Sequence, residues 1–211
     1  MTRRISVNMG GLWRTSVELK EDATWMDLRM EIGKVTGIIA CFQKLEPCGD
    51  NNKKCELEEG DDVFCDWELP NGYRPLHCAA FNGNIEAMRS WLASGADVNT
   101  TNKYGLTPLM CACLYSKEEC AVELLRLGAN VQMKDCGDNT ALHVVGHTYC
   151  FFDLKKMERI AKMLIEAGCD STIRNDKNET FIDILKRNHH NELATILEEW
   201  MKSQKNEKSI N

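Results

Sequence analysis

A short pattern recurring at fixed spacing limits the fold of this chain more than any other feature. Arg74-Pro75-Leu76-His77, Thr107-Pro108-Leu109-Met110 and Thr140-Ala141-Leu142-His143 start 33 residues apart, and a weaker copy, Thr180-Phe181-Ile182-Asp183, follows after 40. A second landmark keeps step: Gly95, Gly128 and Gly168, each in a small-polar turn after an apolar stretch, are separated by 33 and then 40. Both landmarks therefore place a seven-residue insertion inside the third copy, around 146–153. A unit this short cannot bury its own apolar side. The copies must stack on one another, which makes an elongated array of about four repeats.

Each slot of the unit has a physical reading. Pro75 and Pro108 fall in the first turn of a helix, where a missing N–H costs nothing. The hydroxyl of Thr107 or Thr140 is placed to cap that turn. Leu76, Leu109 and Leu142 face the neighbouring copy. A second helix per copy carries an apolar stripe: Met88, Trp91 and Leu92, then Ala121, Leu124 and Leu125, then Ala161, Leu164 and Ile165. Gly95, Gly128 and Gly168 end those helices in the left-handed conformation. A finger-like turn precedes each first helix, with Gly72, Gly105, Asp138 and Asn178 in its positive-φ slot; Asp and Asn tolerate that backbone better than other residues with a side chain.

The Thr-Pro-Leu-His pattern, its period and its closing glycines resemble the ankyrin repeat over residues 70–201. The boundaries read as 70–101, 102–134, 135–174 with the insertion, and a cap at 175–201, followed by a polar, disordered tail at 202–211. The resemblance implies a protein-binding solenoid. It also implies that His77 and His143 bond the turns between neighbouring repeats, and that Asn99, in Ala96-Asp97-Val98-Asn99, is a hydroxylation candidate. The alternative for Asn99 is a turn asparagine bonded to backbone. The insertion, with Tyr149, Phe151 and Phe152, either lengthens the third repeat's helices or bulges from the stack.

Residues 1–69 follow another pattern. Ile5, Val7 and Met9 alternate, Gly10-Gly11 turn the chain, and Trp13, Thr15, Val17 and Leu19 alternate again, which predicts a hairpin. Met26, Leu28, Met30, Ile32 and Val35 predict a helix with Thr24 near its N-cap. Strands are expected around Phe42–Leu45 and Val63–Trp67. This order, with Gly37-Ile38, Gln43-Lys44-Leu45 and Leu57-Glu58-Glu59-Gly60-Asp61-Asp62-Val63, resembles a ubiquitin-like β-grasp domain. Two departures matter. Glu46 stands where ubiquitin carries an exposed apolar residue, and Leu69-Pro70-Asn71 runs on with no Gly-Gly, so this unit is not expected to be conjugated to targets. The fold class is thus α+β, a β-grasp domain ahead of an all-α solenoid. That order resembles a small group of animal proteins for which the family implies adaptor roles and no chemistry.

Composition narrows the function classes. The net charge of −6 argues against nucleic acid, and no apolar run is long enough for a membrane span. Eleven cysteines without a C-x-x-C pair read as reduced thiols in the cytoplasm or nucleus, several of them acting as small buried hydrophobes. Cys111 and Cys113 lie two apart on an expected helix and so diverge. No nucleophile–base pair or phosphate loop stands out, so neither an enzyme nor a cofactor or metal protein is expected. The variable slots give the binding candidates: Tyr73, Lys103, Tyr104, Leu106 and Asn139 on the fingers, with Phe81, Leu114 and Tyr115 on the first helices. Either they form a partner face or Phe81 and Leu114 pack into the stack while Tyr104 covers a finger. The expected partners are other proteins, bound by a monomer; docking through the ubiquitin-like unit in a ubiquitin-pathway complex is the alternative.

Overall fold

The computed structural model describes residues 2–9, 13–20, 22–36, 43–46, 62–67, 74–147 and 154–208. Tyr73, Gly72, the Gly10-Gly11 turn, Gly37-Ile38, residues 47–61 and most of the insertion lie outside them.

At the N-terminal end, β1 (Thr2–Met9) and β2 (Trp13–Lys20) pair antiparallel, with Ile5 opposite Val17. The alternation works as its period requires: Ile5, Val7, Val17 and Leu19 are buried, whereas Arg4, Ser16, Glu18 and Lys20 are exposed or nearly so at Ser6's side of the sheet. Helix α1 (Trp25–Thr36) follows, and its Leu28 and Ile32 reach zero exposure. The backbone N–H of Asp27 donates to Thr24 Oγ1, and that of Thr24 donates to Asp27 Oδ2 at 2.8 Å, a reciprocal cap. Strands β3 (Gln43–Glu46) and β4 (Asp62–Trp67) complete a sheet of order β2-β1-β4-β3, with β4 parallel to β1 and antiparallel to β3.

Four helix pairs follow: α2 (Pro75–Asn82) with α3 (Ile85–Ala93), α4 (Pro108–Leu114) with α5 (Glu118–Arg126), α6 (Ala141–Gly146) with α7 (Leu154–Glu166), and α8 (Phe181–Arg187) with α9 (Asn191–Lys208). First helices stack on first helices and second on second, as one-dimensional stacking demands. Their core holds Leu76, Met88, Trp91, Leu109, Leu124, Leu142, Leu164 and Phe181. Helix α9 continues to Lys208, past the boundary at 201, so the segment expected to be a disordered tail is helical over most of its length. Met201 packs against the core and Lys162 of α7 lies 5.5 Å over the Trp200 ring, anchoring the helix just before that extension.

Charged pairs stitch the second helices together. Arg89 of α3 donates to Glu123 of α5 at 2.9 Å, and Arg159 of α7 donates to Glu118 of α5 at 2.7 Å. Glu123 is only 7% exposed and also takes two bonds from Arg126, which hold its carboxyl well down, to about 2. The sheet unit joins the first repeat directly: α1 packs against α3, and Asn84 Nδ2 donates to the Lys34 carbonyl.

Candidate functional site

The site is built from the fingers and the ends of the first helices. Among the described residues, three fingers are each closed by one side chain at the first position. Asn102 Oδ1 accepts the N–H groups of Tyr104 and Leu106, Asp135 Oδ1 those of Gly137 and Asn139, and Asn175 Oδ1 those of Lys177 and Glu179. These three residues were overlooked in the sequence, although their spacing of 33 and 40 is legible there. Gly105, Asp138 and Asn178 take φ of 76°, 58° and 60°, as their slot required. Adjacent fingers are tied through backbone: Cys136 N–H donates to the Tyr104 carbonyl at 2.8 Å, and Asp176 N–H to that of Gly137 at 3.0 Å.

The motif histidines fasten fingers to helices. His77 Nδ1 accepts from the Arg74 N–H at 3.0 Å, which leaves the ring proton on Nε2, 2.9 Å from the Leu106 carbonyl of the next finger. His143 repeats this with the Thr140 N–H and the Glu179 carbonyl. Burial pushes both imidazoles below the usual histidine range. The last repeat has no described finger beyond it to reach, and there Asp183 makes only the near half, accepting from the Thr180 N–H at 2.9 Å.

On this frame the candidate residues separate. Tyr104 is 46% exposed, with the exposed Lys103 ammonium 5.1 Å from its ring centre. Tyr115 is 39% exposed and its ring lies 3.9 Å from that of the half-buried Phe81, tilted by 52°. The two clusters stand at opposite ends of α4, whose seven residues span roughly 10 Å. Leu106 and Leu114 are half-buried and pack against the core. Asn139 is committed inside the stack: its Nδ2 donates to Asp135 and its Oδ1 accepts from Asn175 Nδ2 at 2.9 Å. Asn99 is likewise engaged, Oδ1 accepting the Asn130 N–H of the next repeat at 2.8 Å, which is a structural role. Tyr73 lies outside the described residues.

Among the described residues no group of His, Cys, Asp or Glu is arranged to hold a metal ion, and no helix is long and apolar enough to cross a membrane. Cys78, Cys111, Cys113, Cys120 and Cys169 are buried free thiols. Burial pushes Cys78 and Cys111 up to about 12, so they stay protonated and inert. His189 sits in the turn between α8 and α9 at φ 64°, the slot that Gly83 fills in the first repeat and Ser116 in the second.

A family model for ankyrin repeats in three copies matches residues 41–135 and 76–175, more than half of the chain. The chain belongs to the ankyrin-repeat family. The first match begins ahead of the first helical repeat, across residues that include β3 and β4, and the fourth helix pair lies beyond the second match. Among curated proteins, a putative E3 ubiquitin-protein ligase of Arabidopsis thaliana is 30% identical over 128 residues, covering 58% of this chain and 28% of its own length. An ankyrin repeat protein of variola virus is 30% identical over 128 residues, 60% of this chain and 21% of its own. Ankyrin repeat and SOCS box protein 11 of Danio rerio is 34% identical over 110 residues, 52% of this chain and 35% of its own. The chain thus spans about a third or less of the length of these relatives. Ankyrin repeats are a protein–protein interaction fold, and that is the general function the family carries.

Proposed function

We propose that the protein is a non-enzymatic adaptor that docks a partner protein on the finger and first-helix side of its ankyrin stack, around Tyr104 and the Phe81–Tyr115 pair. The observation that carries this reading is the exposure of two tyrosines, 46% and 39%, at the two ends of α4. Tyrosine offers large contact area with little rotamer entropy to lose, which is why such residues anchor interfaces. The buried free thiols fit a reducing compartment, in line with action in the cytoplasm or nucleus.

A second reading has its own support. The sheet order β2-β1-β4-β3 with α1 against it fits a ubiquitin-like β-grasp unit, and some relatives are named E3 ubiquitin-protein ligases. Under that reading residues 1–69 dock the protein in a ubiquitin-pathway complex. Affinity capture from cell extract by the full chain, by the Tyr104→Ala/Tyr115→Ala variant and by residues 1–69 separates them. Loss of the captured protein with the tyrosine variant supports the adaptor face. Capture by residues 1–69 alone, with the tyrosine variant unaffected, supports the second reading and overturns the first.

A further inference from the structure

Strand β2 ends the sheet order β2-β1-β4-β3, and no described strand lies beyond it. Its eight residues pair with β1 without a break, from Thr2 opposite Lys20 to Met9 opposite Trp13. Alternate backbone N–H and C=O groups therefore face away from the sheet. Proteins usually blunt such an edge by shortening it, bulging it, covering it, or placing proline or charged residues on it. The opposite edge, β3, is only four residues long. β2, of sequence WRTSVELK, has no proline and no bulge in its pairing, and the charges inside it, Arg14 and Glu18, are of opposite sign and so can pair across a two-fold.

The geometry points to a second copy of this chain as the occupant: β2 pairs antiparallel with β2 of the second copy, in a register centred on Ser16. A two-fold axis through a continuous sheet keeps each residue on its own face, so facing positions have the same parity. Centred on Ser16, positions 13–19 of each strand are paired, and the basic residue Arg14 takes the position opposite the acidic Glu18 twice over. The neighbouring registers are worse. Centring on Val17 sets Arg14 opposite Lys20, centring on Glu18 sets the two glutamates against each other, and centring on Thr15 or Leu19 shortens the overlap and leaves Glu18 or Arg14 outside it. Glu18 is 62% exposed on its own chain and bonded to the equally open Arg4 at 3.1 Å, a surface pair that water already weakens.

This joins two sheets into one and sets two ankyrin stacks in the same assembly, which gains avidity for a partner with two sites. It differs from the monomer expected from sequence, where an edge strand cannot be told from a central one. A seven-residue strand pair buries less than the roughly 1,200–2,000 Å² of a stable interface, so the association is weak, in the micromolar range or above.

Sedimentation velocity on the full chain, reduced, from low micromolar to a few hundred micromolar, tests this without reference to any docking partner. A concentration-dependent dimer is expected. Arg14→Glu and Glu18→Arg should each weaken it about tenfold by turning two attractive cross-strand pairs repulsive, and the double swap should restore it. Ser16→Lys, which would face its own copy on the axis, should also weaken it; circular dichroism checks folding of each variant. A monomer at every concentration overturns the proposal, even if another protein's strand is found to add to β2. So does a dimer that the single charge changes leave intact, or one that the double swap fails to restore.

Discussion

Two glycines with nearly the same backbone allow finger packing to be separated from chain conformation. Gly105 and Gly128 have φ of 76° and 89°, so alanine at either carries the left-handed penalty of about 1–2 kcal/mol. Their surroundings differ. A Cβ on Gly128 would meet nothing within 4 Å. A Cβ on Gly105 would lie 2.9 Å from Asp135 Cα, 3.1 Å from its carbonyl carbon and 3.1 Å from Cys136 N. Those are backbone atoms of the next finger and cannot swing aside. The fingers must part, and the 2.8 Å bond from Cys136 N–H to the Tyr104 carbonyl goes with them. Losing that bond adds about 1 kcal/mol, so Gly105→Ala should cost about 2–3 kcal/mol against about 1–2 for Gly128→Ala. Urea unfolding followed by circular dichroism, with both variants measured beside the parent, reads the difference directly. Equal losses, or a larger one at Gly128, would refute the claim that fingers are held by close backbone approach.

Other outcomes follow from the same structure. Leu109→Ala empties a side chain that is 1% exposed between three repeats and should cost ~2–5 kcal/mol by urea titration; a loss under ~0.5 kcal/mol would contradict its placement. His77 and His143 are held below their unfolded value, so the unfolded chain binds more protons as pH falls. Their contribution is present above about pH 6.5 and is lost as the pH falls below it, so the melting temperature should drop as the pH is lowered from there. Glu123, at about 2, adds an acid-labile contribution that is present above about pH 4.5 and is lost toward about pH 2, separable from the histidine window. Removal of residues 1–69 strips α1 from α3 and should lower the melting temperature of the remaining repeats; an unchanged value would show the contact to be idle.

The repeats were legible because their slots are chemical necessities. Gly95, Gly128 and Gly168 hold φ near 90°, and the less obvious Asp138 and Asn178 take the same finger slot as Gly105. The bridging role of His77 and His143 came through the ankyrin resemblance, and the second copy carries Met110 in that slot. The positive φ of Ser116 and His189 was not legible because no glycine marks either position. The candidate face was half legible. Exposure of Tyr104 and Tyr115 follows from their slots, but whether Asn139 is free depends on Asn175, 36 residues away, and a sequence does not display that bond. The length of α9 was underestimated because its polar end has helix-forming residues but no apolar stripe.

Whether Tyr104 and Tyr115 anchor a protein partner is decided by titrating the captured partner against three proteins: the parent chain, Tyr104→Ala/Tyr115→Ala, and the chain lacking residues 1–69. The double variant should stay folded by circular dichroism yet bind about thirtyfold or more weakly, since truncating one aromatic anchor commonly costs about 2 kcal/mol. The chain without residues 1–69 should retain the parent's affinity under conditions where its repeats are folded. Parent-like binding by the double variant, with binding lost on removing residues 1–69, would rule out the tyrosine anchors and move recognition to the N-terminal sheet.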